Sequence, residues 1–331
     1  MQNSVTKTSR QAEKRLASGV RKISVIVCTH DRPQQLETCL HAIVSQDYPS
    51  FEVIVVDNAP RAGGVESVAT RYGATYCMER TPGLAIARNV GARLASGEIL
   101  AYVDDDGFPE PGWLAAIAGE FSDSEIAAVT GPIHASSGNK AEELAWIAAG
   151  GTGPGEIEPQ TYSRQTAHWF ELANSGSIGS GSNMAFARDI FLTKLGGFDP
   201  RLGVGGPMRA GEEALAFLGL LGLGYKIRFT PDARVRHPFP ADPDSIRQHY
   251  IRGVIETSCY MTLLFFEHPR YALRVPKMML ARLGGWRPSW ARRFQTEGMG
   301  RPMSRIRSLQ YWAQGFLEYW KARFRISNHS A

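Results

Sequence analysis

Residues 81–114 read TPGLAIARNVGARLASGEILAYVDDDGFPEPGWL. Pro82 and Gly83 interrupt the chain, and from Leu84 to Ala95 small and apolar residues return at helical spacing, which predicts a helix. Ile99–Val103 is a continuous apolar run of strand length, and it stops on three consecutive carboxylates, Asp104, Asp105 and Asp106. Like charges ~4 Å apart repel by about 4 kcal/mol per pair at an effective dielectric near 20, so this strand end calls for a cation. Hard oxygen ligands favour Mg²⁺ or Mn²⁺, and Mg²⁺ commonly takes one or two protein carboxylates together with substrate phosphates. A solvated acidic turn is the plain alternative.

The residues upstream repeat the alternation. Ile23–Cys28 and Phe51–Asp57 are β-rich apolar runs, and between them Leu36, Cys39, Leu40 and Ile43 follow Pro33 at helical spacing. A helix near Gly64–Tyr72 and a short strand at Ala74–Met78 complete the series. Strand–helix alternation of this kind predicts an α/β fold, a Rossmann-like and mostly parallel sheet flanked by helices. Ligands of such sheets bind beyond the carboxyl ends of the strands. Thr29-His30-Asp31, Asp57-Asn58 and the Asp104–Asp106 run all stand at those ends.

Downstream, residues 150–159 (GGTGPGEIEP) read as a loop or hinge. A strand is expected at Ser182–Ala187, a turn at Gly196–Asp199, a helix after Gly211, and strands near Tyr225–Phe229 and Ala233–His237. From residue 246 onward the pattern is helical, with aromatic and basic faces. Residues 1–22 are polar and basic without a signal-like apolar stretch, and they read as a flexible tail.

Composition bounds the class. With 43% apolar and 21% charged residues, 34 Gly and 19 Pro, the chain is neither disordered nor collagen-like. Cysteines stand at 28, 39, 77 and 259 with no CxxC pair, so no disulfide framework or zinc site is predicted, and a cytoplasmic setting follows. The run Met261–Phe266 is far shorter than the ~20 residues that span a bilayer. The net charge of +5 is uneven: residues 246–331 carry 15 Lys and Arg against 4 Asp and Glu, while the preceding 245 residues are net acidic. Together with Trp286, Trp290, Trp312 and Trp320, that surplus suits peripheral contact with an anionic membrane at its inner face. A solvated basic helix face explains the charge equally well, and no nucleic-acid partner is expected.

Read as a whole, 81–114 resembles the stretch that family 2 glycosyltransferases carry up to and through their DxD motif. ISVIVCTHDRP is similar to their opening strand and nucleotide loop, and FEVIVVDN to their second strand. GSGSNMAFARD and LGGFDPRLG look like their central segments, and GEEALAFLGLLGLGYKIRFTPDARVRH like their closing region. The likeness runs through residues 22–240 in family order. It implies a GT-A fold over 23–245, with a nucleotide half at about 23–130 and an acceptor half at about 131–245, followed by the helical extension 246–331. The activity it implies is inverting, metal-dependent transfer of a sugar from a nucleotide-diphosphate donor, a UDP-sugar foremost, to a hydroxyl. A glycan or lipid-linked glycan would be the acceptor, in cell-surface glycan or polysaccharide synthesis.

The resemblance also implies roles. Asp104 and Asp106 take the outer DxD positions and, with His237, form the metal set, while Asp105 enriches the charge. Thr29, Asp31, Asp57, Asn58, Arg88, Asp104 and Asp105 make the donor surface; Asn58 stands where many relatives have Asp, and an amide donates as well as accepts. Gly181, Ser182, Asn183, Gly197, Phe198 and Asp199 fall on the sugar and acceptor side. Glu213, at the second acid of a usual Glu-Asp pair, is the expected base, with Glu212 the alternative. A carboxylate at a helix start also has an ordinary dipole explanation. Two rivals stand: a nucleotidyltransferase, which would want a Gly-rich basic phosphate loop that VCTHDRPQQ lacks, and a non-catalytic membrane-associated scaffold with a GT-A fold.

Overall fold

The computed structural model describes residues 19–148, 158–240, 242–284 and 304–329. Most of the basic tail, most of the 150–159 hinge, and Trp286 and Trp290 lie outside the described residues. The first half alternates as expected: β1 Ile23–Thr29, α1 Pro33–Val44, β2 Phe51–Asn58, α2 Val65–Arg71, β3 Thr75–Glu79, α3 Leu84–Leu94 and β4 Ile99–Asp104. Then come β5 Phe108–Pro109, α4 Trp113–Glu120, β6 Ile126–Thr130, β7 Ile133–Ala135, α5 Lys140–Ala148, β8 Gln160–Tyr162, α6 Trp169–Ala173 and β9 Asn183–Ala187. A π-helical turn, Ile190–Leu195, leads to α7 Glu212–Gly222, β10 Lys226–Phe229 and β11 Val235–His237. Three helices follow: α8 Pro243–Glu267, α9 Arg274–Gly284 and α10 Arg305–His329.

The main sheet has eight strands in the order β3-β2-β1-β4-β9-β6-β10-β8. β3, β2, β1 and β4 are parallel neighbours and β6 pairs parallel with β10, whereas β9 runs against both β4 and β6, and β8 against β10. Because successive side chains of a strand point to opposite faces, β1 turns Ile23, Val25 and Val27 one way and Ile26 and Cys28 the other. α1 and α4 cover the first face with Leu36, Leu40, Ile43, Trp113 and Ile117. α3, α7 and α8 cover the second with Ala87, Phe217 and Leu263. Each fully buried Leu or Ile contributes about 1.5–3 kcal/mol, so the two layers fix the level at which every strand ends. Gly91 permits the close seating of α3, since a Cβ there would stand 2.4 Å from Ile26 Cγ2.

A second, three-stranded sheet, β5-β11-β7, crosses the carboxyl end of β4. β11 pairs antiparallel with β5, Arg236 opposite Phe108, and this register carries His237 to the acidic run that precedes β5. The helical extension shares its core with the sheet. Tyr260, Met261 and Leu264 of α8 and Trp312 and Tyr319 of α10 are buried in the same cluster as Tyr102 and Phe186. Trp312 is only 7% exposed, so it offers no surface to a membrane. α10 closes onto α8 at Gly315, where a Cβ would lie 2.2 Å from Ile255 O, and Ser258 Oγ donates to Trp312 O at 2.6 Å.

Candidate active site

The three aspartates at the end of β4 point to three different settings. Asp104 accepts from Arg88 Nη2 at 3.1 Å and from the Ser182 hydroxyl. Asp105 is completely buried, accepts from Thr29 Oγ1 at 2.6 Å and pairs with Arg32 Nη2 at 2.6 Å. Burial pushes its carboxyl up to about 6, against the pull of Thr29 and Arg32. Asp106 pairs with Arg32 Nη1 at 3.0 Å through one oxygen and with His237 Nε2 at 3.0 Å through the other. Burial alone would raise Asp106, but the His237 hydrogen bond and charge, with Arg32, hold it below the usual carboxylate range. The cation that three adjacent carboxylates require is thus supplied three times over, by Arg32, Arg88 and His237.

Ligand atoms of Asp104, Asp106 and His237 all lie within 4.8 Å of one another. The His237 Nδ1 atom stands 2.8 Å from Pro238 O. A proton donated there leaves Nε2 as the ligating nitrogen, the usual way a backbone carbonyl orients a metal-bound imidazole. Two carboxylates and one imidazole fit a divalent cation that also takes phosphate oxygens and water, and the nitrogen shifts the set from Mg²⁺ toward Mn²⁺.

Behind this mouth lies a closed ionic network. Arg88, 3% exposed, donates to Glu212 Oε1 at 2.8 Å, to Asp104 and to Gly181 O at 2.9 Å, and its guanidinium lies 5.9 Å from the Phe198 ring. All its directed bonds are internal, so Arg88 holds the acids in place rather than presenting itself to a diphosphate. Glu212 and Glu213 open α7 after Gly211 in the left-handed region (φ +93°). A Cβ at Gly211 would meet the Tyr260 ring at 2.6 Å, which brings α8 against this helix start. Arg88 engages Glu212 and leaves Glu213 without an ion pair among the described residues. Desolvation first, then the charge of Glu212, push the Glu213 carboxyl well above its ordinary range.

At the end of β2, Asp57 is 2% exposed; Oδ2 accepts from Tyr76 OH at 3.2 Å, and Oδ1 has no hydrogen-bond partner among the described residues. Burial raises its carboxyl. A buried acceptor without a donor costs about 1–3 kcal/mol, which a ligand N–H or O–H would recover. Asn58 does something else: its amide donates to Thr81 O and accepts from Gly83 N, both at 2.8 Å, tying β2 to the turn before α3. Asp31, at φ +54°, is likewise committed, accepting from the amides of Arg61 and Ala62, each at 2.9 Å.

The segments expected on the acceptor side are mostly scaffold. Asn183 is 1% exposed and fully used: Oδ1 accepts from Trp113 Nε1, and Nδ2 donates to Pro132 O and Ala233 O. Phe198 is buried among Tyr102, Phe186 and Phe191, and its backbone amide and carbonyl are both held by the Asn89 side chain. Gly197 (φ +87°) lets Asn89 approach, and Asp199 pairs with Arg201, which also binds Glu267 of α8. Of these segments, Gly181 and Ser182 reach the acidic cluster, through Arg88 and Asp104. The sequence reading missed Arg32, although its position directly after Thr29-His30-Asp31 and the need for a cation beside the acids pointed to it.

Comparison with known proteins agrees with this geometry. Residues 24–193, just over half of the chain, match the profile of Glycosyl transferase family 2. The glucosyl-dolichyl phosphate glucuronosyltransferase of Haloferax volcanii is 27% identical over 235 residues, 65% of this chain and 69% of that protein. The succinoglycan biosynthesis protein ExoM of Rhizobium meliloti is 28% identical over 234 residues, 68% and 69% of the two chains. Among solved structures, the mannosyltransferase PcManGT from Pyrobaculum calidifontis, in complex with GDP-Man and Mn²⁺, superposes with a TM-score of 0.54 at 19% identity, covering 94% of this chain and 80% of that one. The mixed sheet with its crossing small sheet is the GT-A arrangement.

Proposed function

The chain belongs to glycosyl transferase family 2, and from that premise we propose an inverting, metal-dependent transfer of a sugar from a nucleoside-diphosphate donor to a hydroxyl in glycan synthesis. The convergence of Asp104, Asp106 and His237 at the carboxyl end of β4 carries the reading. Those three would hold Mn²⁺ or Mg²⁺, which supplies charge neutralisation for the departing diphosphate. Asp57 Oδ1 accepts an N–H from the base, and Tyr76 keeps that carboxylate oriented. Uracil offers such an N–H, so a UDP-sugar is the favoured donor, with GDP as the comparison.

Glu213 takes the proton of the acceptor hydroxyl. Adjacent helix residues point about 100° apart, and Glu212 is already held by Arg88, so Glu213 is the acid free for proton transfer. Burial and the Glu212 charge keep Glu213 protonated in the empty cleft, and the positive charge of a bound cation would lower its proton affinity and free the carboxylate to take the hydroxyl proton. Arg88 and Ser182 hold the acids in place, and Asn58 ties β2 to the turn before α3.

The acceptor reading is a lipid-linked glycan, supported by the name of the Haloferax relative and by α10. Ile306, Leu309, Phe316, Leu317 and Phe324 are exposed and lie within roughly 100° around that helix, opposite the side packed on α8. Phe265 and Phe266 of α8 extend the patch, with Trp320 5.2 Å from Phe266. No described helix is long and apolar enough to cross a membrane. Such a stripe, in a basic segment, fits the interface of an anionic bilayer.

A nucleotide-sugar screen by thermal stabilisation, with Mn²⁺ and with chelator, tests the donor reading, because a ligand at 100 times its Kd adds about 2.7 kcal/mol. Metal-dependent stabilisation and slow donor hydrolysis support it; equal stabilisation with and without metal defeats it. Co-sedimentation with anionic vesicles, comparing the full chain with Phe316→Ser and Phe324→Ser, tests the membrane reading, which fails if both variants bind as the parent does.

A further inference from the structure

Arg32 stands at the N-cap position of α1 and bridges two acids of unlike situation. Its Nη2 pairs at 2.6 Å with Asp105, which is wholly buried, and its Nη1 pairs at 3.0 Å with Asp106 at the mouth of the cleft. Its own side chain is 44% exposed. The second oxygen of Asp106 is taken by His237. Both oxygens of Asp106 are therefore covered by cationic or hydrogen-bonding side chains, and the two covering groups differ in kind. His237 can turn from hydrogen-bond partner to ligand without leaving Asp106. A guanidinium has no lone pair to offer a metal, so Arg32 competes with one for Asp106.

We infer that Arg32 is a movable counter-ion: it covers Asp106 in the metal-free protein, yields that oxygen when a divalent cation binds, and turns its released N–H groups to the diphosphate of the donor while staying anchored on Asp105. The inference rests on the reading of the cleft as a metal and nucleoside-diphosphate site, and adds a specific phosphate ligand to it. The anchoring is what makes the motion small. One end of the planar fork keeps a buried carboxylate, and the other end is redirected across the mouth, toward the phosphates that share the cation. A guanidinium fork also matches phosphate oxygens in a way that a point charge does not.

Removing Arg32 has opposite expected effects on the two ligands. For the cation alone, loss of a competitor and loss of a positive field both strengthen binding. For a diphosphate on the cation-loaded protein, a direct contact disappears. Calorimetric titration of Mn²⁺ alone, and then of UDP and GDP with Mn²⁺ present, should be run on the parent protein, Arg32→Gln and Arg32→Lys. Arg32→Gln is expected to bind Mn²⁺ about 3- to 10-fold tighter and the diphosphate at least about tenfold weaker, as expected for one lost charged hydrogen bond. Arg32→Lys, which can reach only one acid, should leave Mn²⁺ binding equal or tighter and weaken the diphosphate at least about threefold; it decides the matter if Arg32→Gln does not fold. Weaker Mn²⁺ binding in either variant would mean that Arg32 only holds the aspartates in shape, and overturns the inference, as does an unchanged diphosphate affinity. If the parent protein itself binds no diphosphate in the presence of Mn²⁺, the reading of the cleft fails and this inference with it.

Discussion

At the floor of the cleft Arg88 gathers Asp104, Glu212 and the Gly181 carbonyl into a buried network with every charge answered. At its mouth, one or two residues further on, Asp106 shares its oxygens with a half-exposed Arg32 and with His237, and Glu213 has no ion pair among the described residues. Asp57 nearby buries an oxygen that no donor among the described residues reaches. Both regions are acidic, and both lie at strand and helix ends. What separates them is satisfaction: the floor has used its hydrogen-bonding capacity internally, while the mouth holds capacity in reserve. Reserve of that kind is costly in an isolated protein and is recovered only by a ligand.

The comparison breaks first, if it is wrong, at the two neighbouring glutamates. Glu213→Gln is expected to lower the transfer rate by about 10²- to 10⁴-fold with donor affinity nearly unchanged. Glu212→Gln is expected to act through Arg88, lowering the melting temperature more than the rate at a given folded concentration. Rate, donor affinity and melting temperature measured side by side decide; near-normal turnover in Glu213→Gln ends the assignment.

A second, slightly smaller effect belongs to the floor. Arg88→Ala leaves the buried Glu212 without its cation and Asp104 with only the Ser182 hydroxyl, and breaking a buried ion pair from one side costs about 3–5 kcal/mol. Denaturant unfolding should register that loss, and Arg88→Lys should recover only part of it because one ammonium cannot serve three acceptors in the plane of a guanidinium. A stable Arg88→Ala with weak diphosphate binding would move Arg88 from floor to mouth.

Asn183 sharpens the distinction further. Its amide satisfies Trp113 Nε1 and two carbonyls, so Asn183→Ala should cost about 1–3 kcal/mol of stability and leave the affinity for nucleotide of the folded protein unchanged. A specific loss of donor or acceptor binding, with normal stability, would return it to the ligand side.

The last effect is one of pH. The folded-state pKa of Glu213 is raised above its unfolded value of about 4.3, so its contribution to stability is complete below that value and is lost as pH rises toward the folded one. In chelator, melting temperatures of the parent and Glu213→Gln should coincide near pH 4 and separate in favour of the variant as pH climbs toward 8. A gap that does not change with pH would mean that Glu213 carries no strained charge.

The sheet was legible because its signal is local: Ile23–Cys28, Phe51–Asp57 and Ile99–Val103 are apolar runs whose length and punctuation need no distant partner, and each became a strand within a residue or two. The acids at the end of β4 were legible for the same reason. What the sequence could not supply was who answers whom. Asn58, Asp31, Asn183 and Asp199 are the residue types of binding sites, yet their bonds go to Gly83, Ala62, Ala233 and Arg201. Three of these four partners stand 25 to 50 residues away. Composition groups Trp312 with membrane-seeking aromatics, but the close approach at Gly315 turns it inward. For Arg32 the sequence offers a place beside the nucleotide loop, but its partners Asp105 and Asp106 stand more than 70 residues away and only the fold sets them beside it.

Strand β9 lies between β4 and β6 although it follows both in the chain, and this has a consequence for synthesis. About 57 residues separate the end of β6 at Thr130 from the end of β9 at Ala187, roughly 3–11 s of translation at 5–20 residues per second. For that interval the nascent chain holds β4 with one edge open beside β1 and β6 with both edges unpaired, a state that invites intermolecular pairing. Ribosome pausing between residues 131 and 187 should therefore lower soluble yield without altering the finished enzyme, and a holdase acting on that window should restore it.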